Sequence, residues 1–214
     1  MEKYVKNSSM FRSDKPTNYE NIYEGLVREL AQADYEHAMV HLGALKAGDE
    51  IAMEVFGRTC LVGPRGVRAA DGGSLDFTVR IVTAYYLLHA GRGDLKEEWR
   101  SYRDFKDGAF FNSAFNQTSE QRIASAFSGR IADLKVAAKA LGGENLEENL
   151  GGDFSARFDA LPRIPLALIF YDADEDFPSS ARILFDASAP HFLDMECLAV
   201  LGIILADQLT KALK

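Results

Sequence analysis

The sequence predicts an α+β protein in which antiparallel β-hairpins pack under helices. Three observations predict it. Short alternating runs, separated by Gly, Asp and Pro turns, occupy residues 51–70 and again 153–186. Apolar residues at helical spacing occupy 18–42, 74–89 and 194–213. The chain has 214 residues, 47% of them hydrophobic and 26% charged, which is enough for a sizeable buried core.

Residues 1–16 are polar and aperiodic and read as a flexible arm. From 18 to 42, Ile22, Leu26, Leu30, Ala33, His37 and His41 fall near one helical stripe, and Gly43 and Gly48 mark its end. IAMEVFG (51–57) alternates, with Ile51, Met53 and Val55 on one face. TCLVG (59–63) and GVRAA (66–70) continue the pattern across PRG and DGG turns. Ser74 is placed to cap a helix reaching His89, with Phe77, Ile81, Ala84, Tyr85 and Leu88 as its buried face.

WRSYRDF (99–105) alternates as a strand, with Trp99, Ser101, Arg103 and Phe105 on one face. Phe110, Phe111 and Phe115 form an aromatic knot on a short helix. Thr118 with Gln121 has the spacing of a capping box and predicts a helix from there to Ser128. A second helix spans 129–141, and GGENLEENLGG (142–152) reads as a linker.

DFSARFDA (153–160) alternates again. PLALIFY (165–171) is almost wholly apolar and predicts a central strand buried on both faces. ARILFD (181–186) follows an acidic turn, and a helix with Asp194 as N-cap closes the chain. The reading is one α+β domain over 17–214. Its alternative is two related halves, 17–107 and 150–214, around a helical insert at 108–142. A weak echo of strand, turn, strand, aspartate and apolar helix motivates that alternative, with Asp71 and Asp186 in matching places.

Composition bounds function. The formal net charge of -8 disfavours nucleic acid and anionic membrane surfaces as bulk partners. The apolar run CLAVLGIILA (197–206) is short of the ~20 residues a span requires, so it reads as a buried helix. The first residues lack the apolar core of a signal peptide. The two cysteines, Cys60 and Cys197, are far apart and form no CxxC pair. These features predict a cytoplasmic protein with no membrane and no nucleic-acid partner. No iron–sulfur cluster is expected from two cysteines, because such clusters need several clustered thiolates.

Two segments carry a family resemblance: WRSYRDFKDGAFFNSAF (99–115) and FDALPRIPLALIFYDADEDFPSSARILFDASAPHFL (158–193). Together they resemble the domain-of-unknown-function family numbered 3786. The resemblance implies a source among anaerobic bacteria and archaea and supports the fold reading. It implies no reaction that maps onto a residue. Some members carry an additional cysteine-rich domain suggestive of iron–sulfur chemistry, and this chain lacks those cysteines.

Three constellations carry candidate chemistry. In YDADEDFP (171–178), Asp172, Asp174 and Asp176 offer oxygens to a divalent cation. An EF-hand loop counted from Asp172 would need glycine at its sixth position and glutamate at its twelfth, where Phe177 and Ile183 stand. The competing reading is a solvated hairpin tip. His37 and His41, four apart on a helix, could face one metal, although no HExxH is present. Arg100, Tyr102 and Arg103 form an aromatic-basic surface for an anionic ligand, partly neutralised by Glu97, Glu98 and Asp104.

GPRG, DGGS and GRGD lack the register of phosphate-binding loops, and no GxSxG elbow occurs. Cofactor and ligand are therefore left unspecified. The functional expectation is a non-catalytic accessory protein of anaerobic metabolism that binds a small molecule or a protein partner. The alternatives are a metal-dependent enzyme using the acidic turn or the His37/His41 pair, and a structural self-associating module.

Overall fold

A computed structural model describes residues 16–146 and 150–213. The expected arm lies outside the described residues, apart from Pro16, which opens the first helix. Residues 147–149 of the expected linker lie outside them as well. The fold is α+β, with two antiparallel sheets and helices. The described residues divide into two compact units, one within Met1–Met53 and Thr59–Ala90, the other within Glu54–Arg58 and Gly91–Lys214.

The first unit begins with α1 (Pro16–Leu30) and α2 (Tyr35–Leu42). The sequence predicts one helix over this stretch, and the structure breaks it. The last turn of α1 tightens as Gln32 N–H and Ala33 N–H donate to the carbonyls of Glu29 and Leu30, three residues back. The Tyr35 hydroxyl also donates to the Leu30 carbonyl, at 2.7 Å, so this helix-end acceptor is shared with Ala33 N–H.

The four-stranded sheet runs in order β1 (Leu45–Ala47), β2 (Glu50–Val55), β3 (Arg58–Gly63), β4 (Gly66–Ala69). Alternation reads directly into burial: Ile51, Met53 and Val55 are buried and Glu54 is exposed. Glu50 is also buried, and Arg68 grips both its oxygens at 2.5 and 3.2 Å. Burial, and secondarily the Glu50 charge, push the Tyr35 hydroxyl up to about 12. Tyr23 of α1 closes the open edge of β4. Its hydroxyl accepts from Val67 N–H at 2.7 Å and donates to Val67 C=O at 3.3 Å. Gly66 (φ 109°) sits under that hydroxyl with no room for a Cβ.

Helix α3 (Phe77–His89) starts later than Ser74 predicts, with Asp76 at its N-cap position. Its buried residues are Val79 and the continuous run Ile81–Leu87, and Phe77 is partly exposed. The sequence predicts a single stripe; a helix enclosed on more than one side buries nearly every residue instead. Arg80 lies over the rings of Tyr23 and Phe77, 5.9 and 5.5 Å from their centroids.

The second unit holds the five-stranded sheet, in order β5 (Trp99–Ser101), β9 (Ser180–Asp186), β8 (Ile164–Tyr171), β7 (Phe154–Leu161), β6 (Glu144–Asn145). Strand β8 is the apolar run, and Ile164 through Phe170 are all buried, so both its faces are covered. The β7–β8 turn puts Arg163 at φ 74°. Its guanidinium donates to the Gly93 carbonyl at 3.1 Å. Asp186 ends β9 buried, and one carboxylate oxygen accepts from Lys96 N–H (3.0 Å), Ser188 N–H (2.8 Å) and the Ser188 hydroxyl.

Helices α4 (Gly108–Phe115), α5 (Gln121–Phe127) and α6 (Ile131–Ala140) precede β6, and α7 (Met195–Lys211) closes the fold. Asp194 caps α7 as the sequence predicts, accepting from Cys197 N–H at 2.8 Å. Buried residues from Cys197 to Leu209 make α7 the helical core of this unit. Among the described residues no helix is long and apolar enough to cross a membrane.

Two sequence expectations change here. The strand predicted over 99–105 stops at Ser101, and Tyr102–Asp104 form a 3₁₀ turn. Tyr102 leaves the strand because it belongs to the core. It is 1% exposed, its ring stacks on Phe115 (4.3 Å between centroids), and its hydroxyl donates to the Met195 carbonyl at 2.8 Å. No helix starts at Thr118. Instead α4 runs through a π-helical turn, Asn116–Glu120, into α5. The Thr118 hydroxyl donates back to the Ala114 carbonyl at 2.7 Å, a bond of helix interiors rather than of caps.

Candidate ligand-binding cleft

The π turn positions a polar cleft of the second unit. A π turn inserts one residue into a helix, re-aims the side chains around it, and is frequent at functional sites. Here it is held from behind by α7. Gly202 lies so close to Phe115 and the Ser119 hydroxyl that a Cβ would collide with the Phe115 ring. Ser119 is fully buried.

In front of the turn lies a cleft of about 390 Å³. One wall is the end of β5 and the following turn, with Ser101, Arg103 and Asp104. The second is helical, with Asn112, Asn116 and Glu120. The floor is the start of β9, Ser180 to Arg182. The cleft exists because β5 is short. It pairs with β9 only from Trp99↔Asp186 to Ser101↔Leu184, whereas β9 continues to Ser180 beside β8. Residues 180–183 therefore have no strand on that side.

Glu120 takes the place of the missing strand. One carboxylate oxygen accepts from Ile183 N–H at 2.9 Å, and the other accepts from the Asn116 side-chain amide at 2.7 Å. An open strand edge inside the fold is costly unless its amides are paired, and Glu120 pairs this one. Both donors are neutral, so the carboxylate is oriented but its charge is not cancelled. Arg182, on the exposed side of β9, has no hydrogen-bond or ion-pair partner among the described residues. Arg103 lies 3.5 Å from Asp104.

The expected anionic-ligand surface is thus divided. Arg103 lines the cleft. Tyr102 is beneath it, in the core, where burial and then the Glu196 and Asp194 carboxylates raise its pKa well above the usual phenol range. Arg100 is turned away to Glu98, with which it pairs at 2.6 Å.

The acidic turn has its own geometry. One oxygen of Asp172 accepts from Gly129 N–H at 2.7 Å and from Ala173 N–H at 2.8 Å. One oxygen of Asp174 accepts from Asp176 N–H at 2.9 Å and Phe177 N–H at 2.7 Å. Asp176 is exposed. Among the described residues, no three His, Cys, Asp or Glu side chains converge as a metal-holding group. His37 and His41 both lie on α2, and the side chain of His37 is outside the described residues.

Sequence reasoning missed Asn112, Asn116 and Glu120 as a set. Their signal was a spacing of four, which puts three polar side chains on one helix face next to the aromatic one. It was obscured by the helix start predicted at Thr118. Arg182 is the one Lys or Arg between Asp172 and Asp194, a pattern that does not point to Glu120.

No curated protein and no solved structure matches the chain. A family model does match, over residues 34–208, which include both resembling segments and every residue of the cleft. The chain belongs to the family described as domain of unknown function DUF3786.

Proposed function

We propose that this chain is a binding protein for a small polar ligand, seated in the cleft between the π turn and the open edge of β9. The observation that carries this reading is the Arg182 guanidinium, without a partner among the described residues, in the same cleft as the oriented side chains of Asn116 and Glu120. A guanidinium with no partner in a preformed concavity is available for a bidentate contact with an anionic group. The volume falls at the small end of ordinary ligand sites. The lining is much more polar than the average site, so the ligand's own surface should be polar as well.

A binding role suits the site better than catalysis. Among the described residues no histidine or cysteine lines the cleft, both Glu120 oxygens already accept hydrogen bonds, and Asp104 is offset by Arg103. Ser101 and Ser180 therefore lack an adjacent base of the kind that activates a hydroxyl. The test is a small-molecule library read by amide chemical shifts on the labelled full chain. Binders should move residues 116–120 and 180–183, and Arg182→Ala should abolish the shifts. Binders that move only other regions, or that ignore Arg182→Ala, would overturn the reading.

A further inference from the structure

The charges of the cleft select among small polar ligands. It is lined by two cations, Arg103 and Arg182, and two carboxylates, Asp104 and Glu120. Arg103 and Asp104 are neighbours in sequence and offset one another on the exposed rim. That leaves one cation and one carboxylate. Arg182 has no partner among the described residues, and Glu120 is held only by an amide side chain and a backbone N–H. Hydrogen bonds from neutral donors fix the carboxylate but leave its full charge facing the cleft.

A simple anion would satisfy Arg182 and be repelled by Glu120. An amine would do the opposite, and a polyanion such as a nucleotide would meet too little positive charge. A ligand with one negative and one positive end neutralises both groups at once. Such a ligand also uses the remaining wall. The Asn112 and Asn116 carboxamides each offer a donor and an acceptor, and the Ser101 hydroxyl offers both.

Resting on the binding reading above, we propose that the ligand is a small zwitterion of the amino-acid class, with its carboxylate on Arg182 and its ammonium on Glu120. The two residues that set the polarity come from segments far apart in the chain, joined through the Glu120–Ile183 hydrogen bond. That bond places the carboxylate next to the backbone of the residue that follows Arg182. The Glu120 end of that polarity is therefore anchored to the strand edge, while Arg182 brings its guanidinium from the same strand.

The test compares L-alanine, L-serine and L-glutamine with propionate, ethylamine and inorganic phosphate, by titration of amide shifts in the full chain. At least one amino acid should bind tenfold or more tightly than propionate and ethylamine. Glu120→Gln keeps an acceptor for Ile183 N–H, so the fold is retained. It should weaken the amino acid about tenfold while strengthening propionate. Arg182→Gln should weaken the amino acid and spare ethylamine. Propionate or phosphate binding as tightly as every amino acid would overturn the zwitterion and leave the binding reading standing. If no probe moves the cleft but another library compound does, the zwitterion again falls alone. If nothing at all moves it, both readings fall.

Discussion

The acidic turn at 171–178 and the cleft beside Glu120 are both rich in carboxylates, and they use them in opposite ways. In the turn, Asp172 and Asp174 accept from backbone amides one to three residues away, and Asp172 also accepts from Gly129 N–H just past the end of α5. These bonds build the loop that connects β8 to β9. In the cleft, Glu120 reaches an amide 63 residues away and supplies the edge contact that a strand would otherwise make. Carboxylates crowded in sequence serve local turn formation here. A single carboxylate imported from a helix serves a site.

That contrast can be broken in several places. The largest effect should come from Tyr102→Ala, which removes the ring stacked on Phe115 beneath the cleft. Truncating a buried aromatic costs about 3–5 kcal/mol. Denaturant unfolding should show a loss in that range, and a loss below about 1 kcal/mol would mean that the turn does not depend on this stack. Next is Glu120→Ala, which strands the Ile183 amide. Leaving a buried donor unpaired costs about 1–3 kcal/mol. Glu120→Gln should recover most of that loss, since its carbonyl still accepts.

Asp186 gives a pH-dependent comparison. Burial alone would raise its pKa. The Ser188 hydroxyl and the N–H groups of Lys96, Ser188 and Glu97 outweigh burial and hold the carboxyl below its ordinary value of 3.8. A depressed carboxyl contributes stability that is present above the unfolded value and lost as pH falls through the folded one. Stability followed by circular dichroism should therefore fall below about pH 4, and Asp186→Asn should flatten that limb. An unchanged acid limb in Asp186→Asn would assign acid sensitivity to other groups.

Smaller still is Asp174→Ala in the exposed turn, where the lost hydrogen bonds are replaced by water. The expected change is about 1 kcal/mol or less. The smallest effect on stability should be that of Arg182→Gln, within about 0.5 kcal/mol of the parent, as for surface sites without partners. A large loss there would show that Arg182 is structural and would sharpen the contrast in the other direction.

Much of the fold was legible in the sequence. Alternation at 51–57 and 153–160, the apolar run of β8 and the Asp194 cap all reappear in the structure, because each depends on a burial period or a cap geometry that neighbouring residues encode. The errors were local patterns overridden by tertiary contacts. Thr118 and Gln121 fit a capping box, yet helix α4 continues through them because α7 packs behind the turn. WRSYRDF alternates as a strand, yet Tyr102 is drawn inward to Phe115 and Met195. The helix expected over 18–42 breaks where the Tyr35 hydroxyl closes the end of α1.

By itself, then, the sequence determined the α+β class, the central strand, the closing helix and the acidic connection between β8 and β9. Those properties follow from periodicity, turn chemistry and capping, which act over a few residues. Only the tertiary structure decided where β5 stops, that residues 180–183 keep an open edge, and that Glu120 and Arg182 share one cleft. Those facts depend on strand register and on helix–sheet packing across more than sixty residues, and no local pattern encodes either.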